Sequence, residues 1–389
     1  MRLASIKVAP ARVSAYNALL AIERGAWSAE ALRGESLHLD SRDAGLASEI
    51  CFGTLRHKGE LDRVIETFSQ KRVRELDLEV VTALEMALYQ IRYLERVPAH
   101  AAVNDSVELV KKSGTRSAAP FVNAILRRSL REKLAVPVEA STPKWLMEGW
   151  VRQYGAELAL KIAAASLEVP EAYIRLPEAQ LQSGTRPPQG AEPTEIPGCY
   201  KLDRHEIGDF RYQDISSQAV VPLLDLKPEH LFLDLCGAPG NKTAQALEAK
   251  PRLAFTCDLH LSRARMLQTL RIPVTVLDGT QPLPFAIKFD RILVDAPCSG
   301  TGTLGRNPDI KWRLKYDDIS DLQDRQTSIL KNALQVLAPG GKLVYSTCSL
   351  ERDENEDVVA ATEGYVTQTM HRIPGRDAGD GFFAAVLTR

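Results

Sequence analysis

Hydrophobic period changes partway along this 389-residue chain, and no single layer of secondary structure satisfies both halves. Up to about residue 135 apolar residues recur at helical spacing. "ARVSAYNALLAIERG" ends at Gly25, and "SRDAGLASEICFGTLRHKGELDRVIETF" follows with Ser41 as its expected N-cap. "VVTALEMALYQIRYL", "HAAVNDSVELVKKSG" and "APFVNAILRRSLREKL" continue the pattern. From about residue 216 the apolar residues gather into short unbroken runs: "HLFLDLC", "RLAFTCDL", "VTVLDG", "FDRILVDAP", "GGKLVYSTC" and "FFAAVLT". Helical stretches separate most of them. Unbroken apolar strands alternating with helices specify a parallel sheet covered on both faces. The expected architecture is an all-α N-terminal domain followed by an α/β domain.

The length allows two or three domains, and the boundaries are expected near 138 and 215. Residues 139–215 are the weakest segment. They hold two short helices in "TPKWLMEGWVRQYGAELALKIAAASL" and then the linker-like "PEAQLQSGTRPPQGAEPTEIPGCY". A formal net charge of −1 excludes a uniformly basic nucleic-acid binder but leaves room for local basic surfaces. One such surface is the last N-terminal helix, where Phe121, Ile125, Leu126, Leu130 and Leu134 are expected as its apolar stripe. Arg127, Arg128, Arg131 and Lys133 lie largely off that stripe and are a candidate RNA-facing set. Solvated charge is the commoner explanation of such a run.

The six cysteines include no CxxC pair, so neither a zinc site nor a disulfide framework is expected. The first 25 residues read as a helix, not a signal peptide, and no apolar run reaches membrane length. A cytoplasmic, metal-free monomer is the default expectation.

Sites in parallel sheets lie beyond the carboxyl ends of the strands. After the first run comes "DLCGAPGNKT" (234–243), a Gly/Pro turn into a helix N-terminus. It is neither GxGxxG nor GxxxxGK[ST], so no phosphate grip is implied. Its unpaired N–H groups still suit a carboxylate ligand. Asp258 ends the second run at the distance that suits ribose hydroxyls, and Asp278 ends the third, where an adenine amino group could meet it. Each alone is more simply a strand-end cap. Together they describe a pocket for a nucleoside carrying an amino-acid tail and no phosphate.

Two thiols stand at the same edge, Cys298 in "DAPCSGTG" and Cys348 in "STCS", with Asp295 three residues before the first. Cysteine packs well as a small hydrophobe, which is the plain alternative. The chemical alternative is specific. Cytosine C5 becomes nucleophilic only after a nucleophile adds at C6, while an acid stabilises charge at N3 and the exocyclic amine. A thiol, a carboxyl and a methyl donor in one cleft meet that need. An unperturbed thiol is only about 3% thiolate at pH 7, so helix dipoles or Lys242 would need to lower its pKa, which the sequence alone does not show.

"YQDISSQA", "LDLCGAPGNKT", "DAPCSGTG", "NPDIKW" and "GGKLVYSTCSLERDENEDVV" resemble the RNA cytosine-5 methyltransferases that use S-adenosylmethionine. "RDAGLASEICFGTLRHKGELD", "AAVNDSVELVKKSG" and "FVNAILRR" are similar to NusB-like RNA-binding domains. That pairing resembles the bacterial Sun/Fmu (RsmB-type) 16S ribosomal RNA methyltransferases over roughly 5–175 and 200–389. The resemblance implies a NusB-like domain (1–138), a small linker or RNA-contacting subdomain (139–215) and a Rossmann-like S-adenosylmethionine-dependent domain (216–389). It implies Cys348 as nucleophile, Cys298 in release of the methylated base, and Asp295 facing both cofactor and cytosine. Cys236, Gly237, Ala238, Pro239, Gly240, Asn241, Lys242, Asp258, Asp278 and Asp295 fall to cofactor binding, with Lys242 near the methionine end. Cys51, Cys199, Cys236 and Cys257 are expected to be structural, although Cys236 belongs to the loop. The implied partner is 16S ribosomal RNA or a small-subunit assembly intermediate.

Two departures accompany the resemblance. Asn241 stands where the family's loop has a second glycine, and it is expected to tolerate a left-handed backbone there. The segment after "AYIRL" is also shorter than the family's. Two other functions remain open at this point: a cytosine-5 methyltransferase of transfer RNA or another ribosomal position, and an RNA-binding assembly factor with a vestigial cofactor fold. An N-methyltransferase fits less well, because it needs no thiol pair and no [DN]PP[YF] motif is present.

Overall fold

A computed structural model describes residues 8–204 and 206–389. The chain forms two compact units. One contains the N-terminal residues to Val151 together with Ala163–Glu168 and Asn307–Arg313; the other contains Arg152–Ile162, Val169–Arg306 and Leu314–Arg389.

The first unit is built on α1 (Pro10–Glu23), α2 (Ser28–Ser36), α3 (Ser41–Ser69), α4 (Leu78–Tyr93), α5 (Ala99–Lys112) and α6 (Ala119–Arg131). Helix α4 is its axle: every residue from Val80 to Gln90 is buried. The 29-residue α3 carries Gly53 at mid-length, where a Cβ would sit 1.9 Å from the Tyr89 ring. Glycine costs a helix interior roughly 1 kcal/mol relative to alanine, and here it allows α4 to seat its tyrosine. The N-cap of α3 is Asp40, whose carboxylate accepts from the Asp43 N–H at 2.8 Å, so the expected cap, Ser41, is instead the first helical residue. On α6 the buried stripe is Val122, Ile125, Leu126 and Ser129, whereas Leu130 is 44% exposed. The helix ends at Arg131, so the expected stripe overran its final turn.

Helices α7 (Lys144–Tyr154) and α8 (Ala156–Ala165) follow. The second unit opens with a small antiparallel sheet of β1 (Ala172–Arg175), β2 (Glu192–Pro193), β3 (Cys199–Leu202) and β4 (Arg211–Tyr212), in the order β2-β3-β1-β4. Helix α9 (Glu178–Gln182) lies between its first two strands. The stretch expected as linker is thus ordered into elements too short for a periodic signal.

The large sheet comprises β5 (Leu231–Asp234), β6 (Leu253–Asp258), β7 (Val274–Val276), β8 (Phe289–Asp295), β9 (Leu337–Thr347), β10 (Tyr365–Arg372) and β11 (Phe382–Thr388). Its order is β10-β11-β9-β8-β5-β6-β7. Strands β5 to β9 pair in parallel, while β11 and β10 pair antiparallel. Helices α10 (Ile215–Val220), α11 (Asn241–Ala246), α12 (Leu261–Leu267), α13 (Ile310–Arg313), α14 (Tyr316–Gln335) and α15 (Glu356–Ala360) complete the set. Of these, α13 belongs to the first unit. Adjacent residues on each central strand enter opposite cores. Leu233, Ile292, Leu343 and Phe383 join Ile329, Leu330 and Ala333 of α14. Phe232, Leu293, Val344 and Ala384 join Val220 of α10 and Ala246 of α11. Burial on both faces is why these strands read as unbroken apolar runs. The sheet is Rossmann-like, and its order reverses between β5 and β8. Ligands bind at such a reversal, beyond the strand ends.

Candidate active site

The loop from β5 to α11 sits at that reversal. Gly237 donates its N–H to the Cys257 carbonyl at 2.8 Å, and a Cβ there would fall 2.1 Å from Thr256 Oγ1. Gly240 has φ +111°, which glycine alone adopts cheaply. The Ala238–Pro239 peptide is cis. Asn241 begins α11 with an ordinary backbone and donates its side-chain amide to the Tyr212 carbonyl at 3.2 Å. The left-handed position is Gly240, so Asn241 never needs the tolerance expected of it.

Loop residues Cys236, Gly237, Ala238, Pro239 and Asn241 border a cavity of about 100 Å³ that Ser217, Asp234, Lys242 and Asp295 also line. Lys242 Nζ lies 2.8 Å from Asp295 Oδ2 and 4.7 Å from the centre of the Phe382 ring. Ser346 Oγ donates to Asp295 Oδ1 at 2.9 Å. Asp295 is therefore held from two elements with its side chain still 30% exposed. The sequence reading did not single out Asp234, although it ends β5. Thr243 Oγ1 donates to its Oδ2 at 2.6 Å, and its buried Oδ1 has no partner among the described residues. Burial pushes the Asp234 carboxyl up to about 7, against the pull of that hydroxyl. Burial and the carboxylates of Asp234, Asp295 and Asp258 push the Cys236 thiol up as well.

Asp258, buried at the end of β6, accepts from the His260 N–H at 3.0 Å and faces Arg263 Nε at 3.4 Å. Arg263 also donates to the Ala238 carbonyl at 2.7 Å, tying Asp258 to the β5–α11 loop. Asp278 is exposed, and Thr280 occupies its Oδ1 through both N–H and hydroxyl, which lowers its pKa. Asp258 closes β6 and Asp278 lies two residues beyond β7; neither lines the cavity, and only Asp258 is tied to the loop, through Arg263. A glycine cradle, an unpartnered buried carboxylate oxygen and a lysine–aspartate pair suit a zwitterionic amino-acid tail, and the Asp258 side suits a nucleoside.

Cys298 Sγ and Cys348 Sγ lie 3.3 Å apart on the loops after β8 and β9, as free thiols. Contact with the Cys348 sulfur, and then burial, pushes the Cys298 thiol well above its ordinary pKa. The lowering that thiolate chemistry would need is not found at this cysteine. The two loops are zipped together: Gly302 N–H donates to the Cys348 carbonyl at 2.9 Å and Leu350 N–H to Thr301 Oγ1 at 2.9 Å. Beneath them lies Glu354, fully buried and absent from the sequence-based set. The only sequence signal for it was the acidic run "ERDENEDVV" just after Cys348. Of the other cysteines, Cys51, Cys199 and Cys257 are buried.

In the helical unit Arg127 and Arg131 are exposed, and Arg127 Nε donates to Asn123 Oδ1 at 3.1 Å. Arg128 is more committed. It bonds Glu132 at 3.0 Å, and its guanidinium lies 4.7 Å from the centre of the Phe68 ring. No group of side chains suited to holding a metal ion occurs among the described residues. No described helix is long and apolar enough to cross a membrane.

Comparison with known proteins agrees with this geometry. Residues 221–363 match the model of the 16S rRNA methyltransferase RsmB/F family, and residues 9–131 that of the NusB family. The probable ribosomal RNA small subunit methyltransferase B of Bacillus subtilis is 33% identical, over 92% of this chain and 88% of its own length. The ribosomal RNA small subunit methyltransferase B of Vibrio cholerae is 31% identical over 97% of each chain. Among solved structures, that of PH0851 superposes with a TM-score of 0.77 at 21% identity, over 99% of this chain and 100% of that one. NSun6 from Pyrococcus horikoshii gives 0.55 at 19% identity, over 63% of this chain and 98% of that one. Identity at the level of the two curated relatives, sustained over nearly the whole length, establishes that the chain belongs to the RsmB family of ribosomal RNA small subunit methyltransferases, with a NusB domain at its N-terminus.

Proposed function

We propose that this enzyme methylates C5 of a cytosine in 16S ribosomal RNA, using S-adenosylmethionine and a transient bond between Cys348 and C6 of the base. The observation that carries the reading is the pair of free sulfurs 3.3 Å apart, one three residues beyond Asp295, the last residue of β8. A methyl transfer to nitrogen or oxygen has no use for two adjoining thiols.

The cofactor loop, Asp234, Asp258, Asp278 and the Lys242–Asp295 pair would hold S-adenosylmethionine, which when bound supplies an electrophilic methyl group. The remaining chemistry belongs to the chain. The target base must be unpaired or extruded for a thiol to reach C6. Cys348 adds there as thiolate, and the C5–C6 π electrons move toward C5 and the N3 side of the ring. Asp295, steadied by Lys242 and Ser346, faces the charge at N3 and the exocyclic amine. After C5 is alkylated, its proton leaves and the C6–sulfur bond breaks, with Cys298 assisting that release. Arg127 and Arg131 are proposed to meet phosphates, and Arg128 to support them through the Phe68 ring.

Cysteine variants test the reading. Cys348→Ala should abolish transfer of labelled methyl to small-subunit RNA. Cys298→Ala should leave RNA covalently attached to protein, seen as a slow band on a denaturing gel. Exchanged phenotypes would refute the role assignment, and undiminished methylation in both variants would refute thiol chemistry altogether.

A further inference from the structure

We infer that Glu354 is the positioning residue that holds the two thiol loops in register, through direct hydrogen bonds to the residue following each cysteine. Its Oε1 accepts from the Ser299 N–H at 2.8 Å and from Gln326 Nε2 at 2.9 Å. Its Oε2 accepts from the Ser349 hydroxyl at 2.5 Å and also from the Ser299 hydroxyl. All four neighbours are donors, which is the set that a carboxylate, an acceptor at both oxygens, can satisfy.

Ser299 follows Cys298 and Ser349 follows Cys348, so one side chain grips both loops a single residue from each sulfur. Gln326 of α14 adds a second hold on Cys298 by donating to the Pro297 carbonyl at 2.8 Å. Asn355 does the same for Cys348. Thr347 Oγ1 donates to Asn355 Oδ1, and Asn355 Nδ2 donates to the Ser349 carbonyl at 3.0 Å. The carboxylate itself is anchored from behind, since the Tyr345 hydroxyl donates to the Glu354 carbonyl at 2.6 Å. Ser349 Oγ, having given its proton to Glu354, accepts the Glu351 N–H at 3.0 Å.

The network is fully buried and adjoins the sulfurs without touching the cavity that would take the cofactor. Its effect is therefore geometric: it sets the distance between Cys298 and Cys348. The negative charge of Glu354 acts in the same place, as one of the influences that keep Cys298 a thiol.

Its bearing on turnover rests on the reading of the thiols as the reacting pair, but its geometry can be measured without RNA. Diamide oxidises two adjacent thiols to a disulfide, its N=N bond taking up the two electrons and two protons. The rate of Cys298–Cys348 crosslinking, followed by peptide mass spectrometry, thus reports their registration. Glu354→Gln replaces one acceptor oxygen with a donor and should slow crosslinking by about tenfold or more. It should lower kcat for RNA methylation by about tenfold to a hundredfold, with KM for RNA and S-adenosylhomocysteine affinity within about twofold. Should Glu354→Gln fail to fold, Ser299→Ala/Ser349→Ala removes the hydroxyl contacts alone and should slow crosslinking in the same direction. Wild-type crosslinking rates in both variants would overturn the inference. Slowed crosslinking would uphold it even if wild-type protein methylated no cytosine, an outcome that refutes the proposed function and not the positioning role.

Discussion

At Gly237 the loop has no room for a side chain. A Cβ would lie 2.1 Å from Thr256 Oγ1 and 3.2 Å from Thr243 Oγ1, and Thr243 is the residue that bonds Asp234. Gly237→Ala should therefore displace the loop and lower affinity for S-adenosylhomocysteine by about tenfold or more in calorimetric titration, since misplacing a site by about 1 Å has that scale of effect. Thr256 Oγ1 is buried without a partner among the described residues, so Gly237→Ala/Thr256→Ala should recover part of the loss. Additivity of the two substitutions would show that the contact is not the cause. Residues of this kind were legible in sequence because they are punctuation: a Gly/Pro turn, strand-terminal aspartates, cysteines after apolar runs. Glu354 was not, because an acidic residue among other acidic residues looks like a solvated helix start. Its burial depends on Ser299 and Gln326, which lie 55 and 28 positions away. Asp234 was hidden for a related reason, as the final polar residue of a strand already explained by its apolar neighbours.

Elements were legible where burial was uniform and lost where it was not. Strands β5, β6, β8, β9 and β11 matched buried apolar runs and the half-exposed β7 matched the start of "VTVLDG", but β10 escaped, because an exposed edge strand reading "YVTQTMHR" carries no period of either kind. The segment "NPDIKWR" gives the larger lesson. Asp309 accepts from the Ser28 hydroxyl at 2.7 Å, and Trp312 Nε1 donates to the Leu55 carbonyl at 2.8 Å. Arg313 lies 4.1 Å from the centre of the Trp27 ring. Lys311, 1% exposed, donates to the carbonyls of Arg56 and Ser141 at 2.9 and 3.0 Å. Burial, and then the Arg56 charge, pulls its pKa down from 10.5 to about 7. Between pH 7 and 10.5 the unfolded chain consequently binds more protons at this position than the folded one, so stability rises with pH across that window. The slope contributed is at most about 1.4 kcal/mol per pH unit. Lys311→Met should remove it. Denaturant unfolding at pH 7 and pH 9 should show the wild type gaining on the variant as pH rises; parallel curves would mean that the amine is not titrating in the interior.

For the molecule as a whole, the division of the chain is not the division of the sequence. A break near residue 138 follows from the change in hydrophobic period, yet the helical unit also takes in Ala163–Glu168 and Asn307–Arg313. These late residues are structural parts of its interior, not decoration. Gly59 of α3 lies against Trp312, which packs on the hydrophobic core of the helices, and Lys311 is among the largest fully buried side chains in the protein. No local pattern could have announced this, since seven residues drawn from another part of the chain carry no period of their own. The consequence is measurable. A fragment of residues 1–151 would lose the tryptophan that packs on its core and the donors that Trp312 and Lys311 bring to the carbonyls of Leu55, Arg56 and Ser141. A hydrogen bond of this kind contributes about 0.5–1.5 kcal/mol net, against a domain stability of about 5–15 kcal/mol. The fragment should therefore unfold at lower denaturant than the helical signal of the full chain and bind a hydrophobic dye. Adding a peptide of residues 305–315 should reverse both changes in a saturable way, because anything that binds only the folded form stabilises it. A fragment as stable as the intact chain, indifferent to that peptide, would show that the helices close their own core and that "NPDIKWR" merely rests on it.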